Sequence, residues 1–427
     1  MITGKLIHLS KKILLVLFSF LYFMVCFRII SRIPVGEVNE ILSLFFLLLL
    51  IMVFLHETTK QLINGRLSRL FLILLPLLVY PLINAAQAHS VFNQPYLYGL
   101  LSQRYHYYIL GAVLVVVSLK RQWLSMEKME NYFLYSMFIT LFIMYFFYIF
   151  VNPALFSGTE FVKLTGYKGW IYEFPNGATA GLLIYGAISF LKDNKTRHLI
   201  TLLLSLGFFL VYGQDRSQIA IALIVLMLFY FIHLKATKIL FYSIVGAFLL
   251  GLVIVLLQLF TPDFVDHYAE LFGNAFTIFT GEQTTEYSTN IRYYEAEVAL
   301  KGIRENPWLG NGFLSSQWNG GYLQFHRYFY PADIGLLGNL YVFGIIGTLF
   351  YYIPYIACFI WISQMKNINS VFVLTCIYTL LFIFLDMQSA ANNIKFIGTP
   401  AFFMGVVYYY RFYVYPFRNE TMAQTFE

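Results

Sequence analysis

The sequence predicts an all-α polytopic membrane protein of about twelve transmembrane helices, with a large extracytoplasmic loop between helices 9 and 10. Three observations carry this. The 427 residues are 59% hydrophobic and only 11% charged, values that exclude a soluble globular class. Apolar runs near the length that crosses hydrocarbon follow one another through short loops. One long polar excursion begins at Thr261 and ends where the chain re-enters at Pro331-Ala332-Asp333-Ile334-Gly335.

Lys5, Lys11 and Lys12 precede the apolar run Ile13 to Phe27, which reads as a retained first helix because Arg28 and Arg32, rather than a cleavage site, follow it. Further spans fall near 38–56, 69–86, 104–119, 132–151, 176–191, 198–213, 217–234 and 238–259. Helices 1–9 therefore occupy residues 1–260, the outer loop with short helices 261–331, and helices 10–12 residues 332–412, in spans near 332–362, 370–388 and 393–412. A tail, 413–427, follows. The 332–362 run is long enough to bend, and Pro354 is the expected place. Alternate loops on one side collect 17 of the 28 Lys and Arg, which puts both termini and the tail in the cytoplasm and the long loop outside the cytoplasmic membrane.

The basic residues are scattered at span ends, so the net charge of +7 reads as membrane orientation rather than nucleic-acid binding. Aromatics, 20% of the chain, suit interfacial belts, lipid-facing packing and surfaces for sugar rings. Cys26, Cys358 and Cys376 sit in apolar runs without metal-ligand spacing, so neither disulfide nor metal is expected.

Polar residues near the outer face are the functional candidates. Arg216 opens a helix after Gly213-Gln214-Asp215; an arginine at that depth either faces a wet cavity or pairs with Asp215 and snorkels. Arg104 and His106 open the fourth span, and Lys163, Lys168 and Glu173 lie between the fifth and sixth. In the loop, Asn290 is placed to cap a helix with Ile291, Tyr294 and Val298 on its apolar face and Arg292, Glu295 and Lys301 elsewhere. Asn306-Pro307 stops that helix, Gly310-Asn311-Gly312 turns the chain, and His326-Arg327 stand before re-entry. Asp333 is an acid at the lip of a membrane helix, suited to capping it and to proton transfer. Asp386, Gln388, Asn392, Asn393 and Lys395 read as the turn between the last two spans.

This order of features resembles the O-antigen ligase and Wzy-type polysaccharide polymerase superfamily. The carriers are Arg216-Ser217, Asn290-Ile-Arg292, Asn306-Pro307-Trp-Leu-Gly310-Asn-Gly312 and Gly344-Ile-Ile-Gly347, across roughly 200–350. Asp333-Ile334 stands where ligases of the superfamily carry a histidine, and that departure points to a polymerase joining repeat units. The resemblance implies a glycosyltransferase C-type fold and undecaprenyl-diphosphate-linked oligosaccharides as donor and acceptor at the bacterial cytoplasmic membrane, with a chain-length regulator and a flippase as partners. Arg216 and Arg292 suit a departing diphosphate, and Asp333 suits the base, with Glu295 a second candidate. Arg104, Lys168, Glu295, His326 and Arg327 are candidate substrate contacts. No cofactor is expected, and a metal-independent transfer is the simpler reading. The rival functions are a ligase acting on another acceptor and, more distantly, a polysaccharide flippase or transporter, against which the two halves show no internal similarity.

Overall fold

A computed structural model describes residues 22–23, 25, 38–65, 67–156, 162–163, 171–172, 176–213, 216–238, 251, 255, 258–259, 287–389 and 397–416. Its helices are α1 (Val38–Ile63), α2 (Arg69–Phe92), α3 (Tyr96–Ser102), α4 (Gly111–Lys120), α5 (Met126–Phe150), α6 (Asn176–Asp193) and α7 (Thr196–Gly207). They continue with α8 (Arg216–His233), α9 (Tyr287–Glu305), α10 (Gly335–Ser363), α11 (Val371–Ser389) and α12 (Gly398–Tyr409). A two-residue antiparallel pair, Val162–Lys163 with Ile171–Tyr172, interrupts the helical pattern.

The chain is a multi-pass membrane protein. Among the described residues five helices are long and apolar enough to cross a bilayer: α1, α2, α5, α10 and α11. A sixth is the pair α3 and Arg104–Lys120, bent by 43°, so the expected span at 104–119 is the second limb of a bent element. The apolar helices of the seventh and eighth expected spans are shorter, Thr196–Leu210 and Ser217–His233. Most of the first span, 239–250 and 261–286 lie outside the described residues.

Phenylalanine fills the interior. Phe133 packs on Phe372, Phe402 and Phe403 with ring centroids 5.8–6.0 Å apart, joining α5, α11 and α12. Tyr22 and Phe23 of the first span reach Phe402 at 5.7 and 5.3 Å. Tilted and edge-on rings suit such a core because lipid gives helices little hydrophobic reason to associate, so dispersion and ring geometry must supply the contact.

The decisive feature of the fold is a break in α10. It falls at Gly344, with φ 64° and ψ −173°, and not at Pro354, which is buried in regular helix. That conformation is accessible only to glycine, and a side chain there would also strike the backbone nitrogen of Gly310 at 2.4 Å. A broken helix in a bilayer must have its freed backbone groups satisfied from elsewhere. Here the loop segment 307–315 does it. Ile345 and Ile346 donate N–H to the carbonyls of Pro307 (2.9 Å) and Trp308 (3.1 Å), while Asn311 and Gly312 donate theirs to Tyr341 (2.7 Å) and Val342 (3.0 Å). From the other side, α2 contributes the Asn84 amide to Val342 O at 2.8 Å and the Tyr80 hydroxyl to Phe343 O. The same helix grips the loop through Gln87, which donates to Gly310 O at 2.9 Å, and just past its end Gln94 holds Phe313 O at 3.0 Å and Ser315 N–H at 2.7 Å. The Gly310-Asn-Gly312 and Gly344-x-x-Gly347 elements are thus two sides of one seam.

Candidate active site

The seam fixes where the loop helix sits. α9 packs along α10 and touches the 3-10 turn Pro331–Asp333. It begins at Tyr287, so Asn290 lies inside the helix and exposed rather than at its cap. Its buried stripe is Glu295, Ala299 and Gly302, with Ile291 half-buried, whereas Tyr294 is exposed. The apolar spacing alone missed this, because the partner surface selected a carboxylate and two small residues.

Glu295 is the unusual group. It is fully buried; one carboxylate oxygen accepts the Tyr330 N–H at 2.8 Å, and the other is buried with no hydrogen-bond partner among the described residues. Burial pushes its pKa up to about 7, with the Asp333 charge adding to the rise and the Tyr330 hydrogen bond and Arg292 opposing it. Those opposing effects place Arg292 and Asp333 within the electrostatic reach of one carboxylate. Arg292 is exposed one turn before Glu295. Asp333 is exposed in the 3-10 turn, and the capping position of α10 falls on Ile334, which makes no side-chain capping bond. The N-cap position of α10 is thus Ile334 and not Asp333.

Around this acid the approach is aromatic. Phe329 is fully buried, with Tyr341, Tyr322 and His326 rings at 4.9, 5.8 and 5.8 Å. Burial, with Lys301 adding to it, holds the His326 pKa below the usual imidazole value, so it is neutral at pH 7. Arg327 is exposed, its guanidinium 4.9 Å from the Tyr328 ring centroid.

Other candidates are placed elsewhere. Arg104 donates to Glu40 and to Leu101 O at 2.9 Å and lies 4.5 Å from the Tyr105 ring, so its guanidinium is engaged with α1 and its own turn. His106 is buried against Tyr351. Arg216 is the first residue of α8, immediately after a π-helical turn, Phe208–Gly213, and residues 214–215; its side chain lies outside the described residues. Lys168 and Glu173 lie outside them too, as does the side chain of Lys163, whose backbone is in the strand pair.

Asp386 and Gln388 correct the expected turn: both are helical residues of α11, and Asn392, Asn393 and Lys395 lie outside the described residues. Asp386 is buried, and Gln388 accepts the Tyr352 hydroxyl at 2.8 Å. A buried carboxylate in a membrane span is a functional candidate by default, and sequence reading passed over it by giving Asp386 to the turn although the expected span already ran to 388.

Residues 200–352 match the family model described as O-antigen ligase. Over this segment, about a third of the chain, the protein is similar to the O-antigen ligase family. No curated protein matches the chain. The matched segment runs from α7 through α8 and α9 to just beyond the break in α10, so it contains Arg216, Arg292, Glu295, His326, Arg327 and Asp333 and leaves Arg104 and Lys168 outside. The match supports a polysaccharide-related ligase or polymerase role of the glycosyltransferase kind for this membrane protein.

Proposed function

We propose that the protein is a polymerase that joins undecaprenyl-diphosphate-linked repeat units at the outer face of the cytoplasmic membrane. The observation that carries the reading is the docking of α9 on the re-entrant turn through Glu295, which sets a cation, Arg292, and an acid, Asp333, in one electrostatic neighbourhood. In the step proposed, a carboxylate takes the proton of the acceptor sugar hydroxyl, the oxygen attacks the donor anomeric carbon, and the bond to the diphosphate breaks. The carrier diphosphate leaves against Arg292 and Arg216, whose planar forks match phosphate oxygens. Asp333 is the exposed acid and the proposed base, with the buried Glu295 within its electrostatic reach. His326, Arg327 and the rings about Phe329 suit a glycan surface. The residues in hand carry each step without a metal. The aspartate at position 333, where ligases of the superfamily carry histidine, favours polymerase over ligase.

Arg292→Ala and Arg216→Ala are expected to abolish polymer while the protein remains inserted and the lipid-linked single repeat accumulates. Arg216→Lys should stay impaired, because an ammonium keeps the charge but loses the fork. Normal polymer from Arg292→Ala would overturn the assignment. Full-length polymer that accumulates on its lipid carrier in these variants would assign the chain to the ligases instead.

A further inference from the structure

At the end of α2 remote from the seam, and outside the matched segment, the ends of α1, α2 and α4 meet α12 and the residues after it around an open cleft. Its wall is apolar: Phe54 and Phe71 stack at 5.3 Å, with Val113 and Val116 beside them. Its rim carries polar groups, Thr58 and Gln61, and the Lys120 ammonium. Lys120 lines the cleft, and Arg69 stands beside it between the lining residues Ser68 and Leu70; neither is in an ion pair among the described residues, and the one lining carboxylate, Glu57, is taken by Arg121. Lys120 Nζ lies 5.2 Å from the Tyr413 ring centroid, and the Arg69 guanidinium 5.4 Å from that of Phe412. Arg121 shows the contrast, since it is ion-paired with Glu57 of the same rim.

A cation on an exposed aromatic face gains little, about 0.5–1 kcal/mol, and keeps its hydrogen-bonding capacity for a stronger acceptor. A phosphate offers charge-assisted bonds to both an ammonium and a guanidinium. The apolar wall directly beneath the cations gives a free phosphate nothing, but suits the first carbons of an acyl chain. We propose that this cleft binds an anionic glycerophospholipid of the bilayer, its phosphate between Arg69 and Lys120 and an acyl chain along Phe54, Phe71 and Val116. A zwitterionic lipid brings its own cation and competes poorly. The charge distribution along the chain assigns the site to the cytoplasmic leaflet.

The test uses the full chain in detergent, titrated separately with phosphatidylglycerol, phosphatidylcholine and inorganic phosphate, with thermal unfolding and native mass spectrometry as readouts. Phosphatidylglycerol should be retained preferentially, and removing each cation should weaken it about fivefold, from ~1 kcal/mol per basic residue at an anionic surface. Arg69→Gln with Lys120→Gln should abolish the preference while leaving the lipid-free unfolding temperature nearly unchanged. Lys120→Arg should retain binding, which separates lost charge from misfolding. Equal retention of the two lipids by the wild type, stabilisation by inorganic phosphate alone, or undiminished preference in the double variant would each overturn the proposal.

Discussion

Replacing Glu295 with glutamine keeps an oxygen for the Tyr330 N–H and removes the proton that the buried carboxyl exchanges. The unfolded carboxyl titrates near 4.5 and the folded one near 7. Below the lower value both states are protonated and the stabilisation is fully present. As pH rises from 4.5 to 7 the unfolded chain ionises first, so the native state binds more protons and stability is lost. At ~1.4 kcal/mol per pH unit of difference, the loss is on the order of 3 kcal/mol across that window. Glu295→Gln should abolish this slope, leaving the variant as stable as wild type near pH 5 and more stable near pH 8. The neighbours set the direction of further changes. Asp333→Asn removes a charge that raises the Glu295 pKa and should move the midpoint down, whereas Arg292→Gln removes one that lowers it and should move the midpoint up. Unfolding temperature against pH in a nanodisc reports the slope, and the infrared stretch of a protonated carboxyl, present near pH 6 and absent in Glu295→Gln, reports the proton itself. Wild type and Glu295→Gln with parallel profiles from pH 4.5 to 8 would refute a proton held at Glu295.

The seam predicts that Gly344→Ala fails to accumulate in the membrane, since it adds about 1–3 kcal/mol of backbone strain to a close contact with Gly310; wild-type protein levels on an immunoblot would contradict it. Gln94→Leu orphans Phe313 O and Ser315 N–H, about 1–3 kcal/mol each when buried, and should lower the unfolding temperature clearly while sparing helix content by circular dichroism. Asp333→Asn should insert normally yet lose ~10²–10⁴-fold in polymer formation if Asp333 is the base; laddering in cells read beside protein level decides. Arg104→Gln should cost no more than about 1 kcal/mol and leave polymer length unchanged, because its ion pair with Glu40 is partly exposed; loss of polymer at normal protein level would return Arg104 to the substrate contacts.

What could be read from the sequence alone was whatever depends on local pattern and composition. Hydropathy is local, so α1, α2 and α11 start within a residue of expectation, while α5 starts six residues early, at Met126. Arg216 opening a helix, the stop at Asn306-Pro307 and the order of motifs over 200–350 were legible for the same reason, and the O-antigen ligase match over 200–352 rests on that stretch. The polar stripe Tyr80, Asn84 and Gln87, spaced at i, i+4 and i+7 in an apolar span, was a signal in plain view that called for a polar partner. Its partner was not readable, because the hydrogen bonds that this stripe makes to the gap at Gly344 and to the loop beside it join residues more than 200 positions apart. Nor could composition say that Glu295, the third residue after Arg292, would be buried while Tyr294 stayed exposed, or that Asp386 would be buried in α11. Periodicity identifies a face by its apolar residues, whereas the face that is buried is the one that the neighbouring backbone fits. In this chain that backbone is a broken helix held open by its own loop, and only the tertiary structure brings the two together.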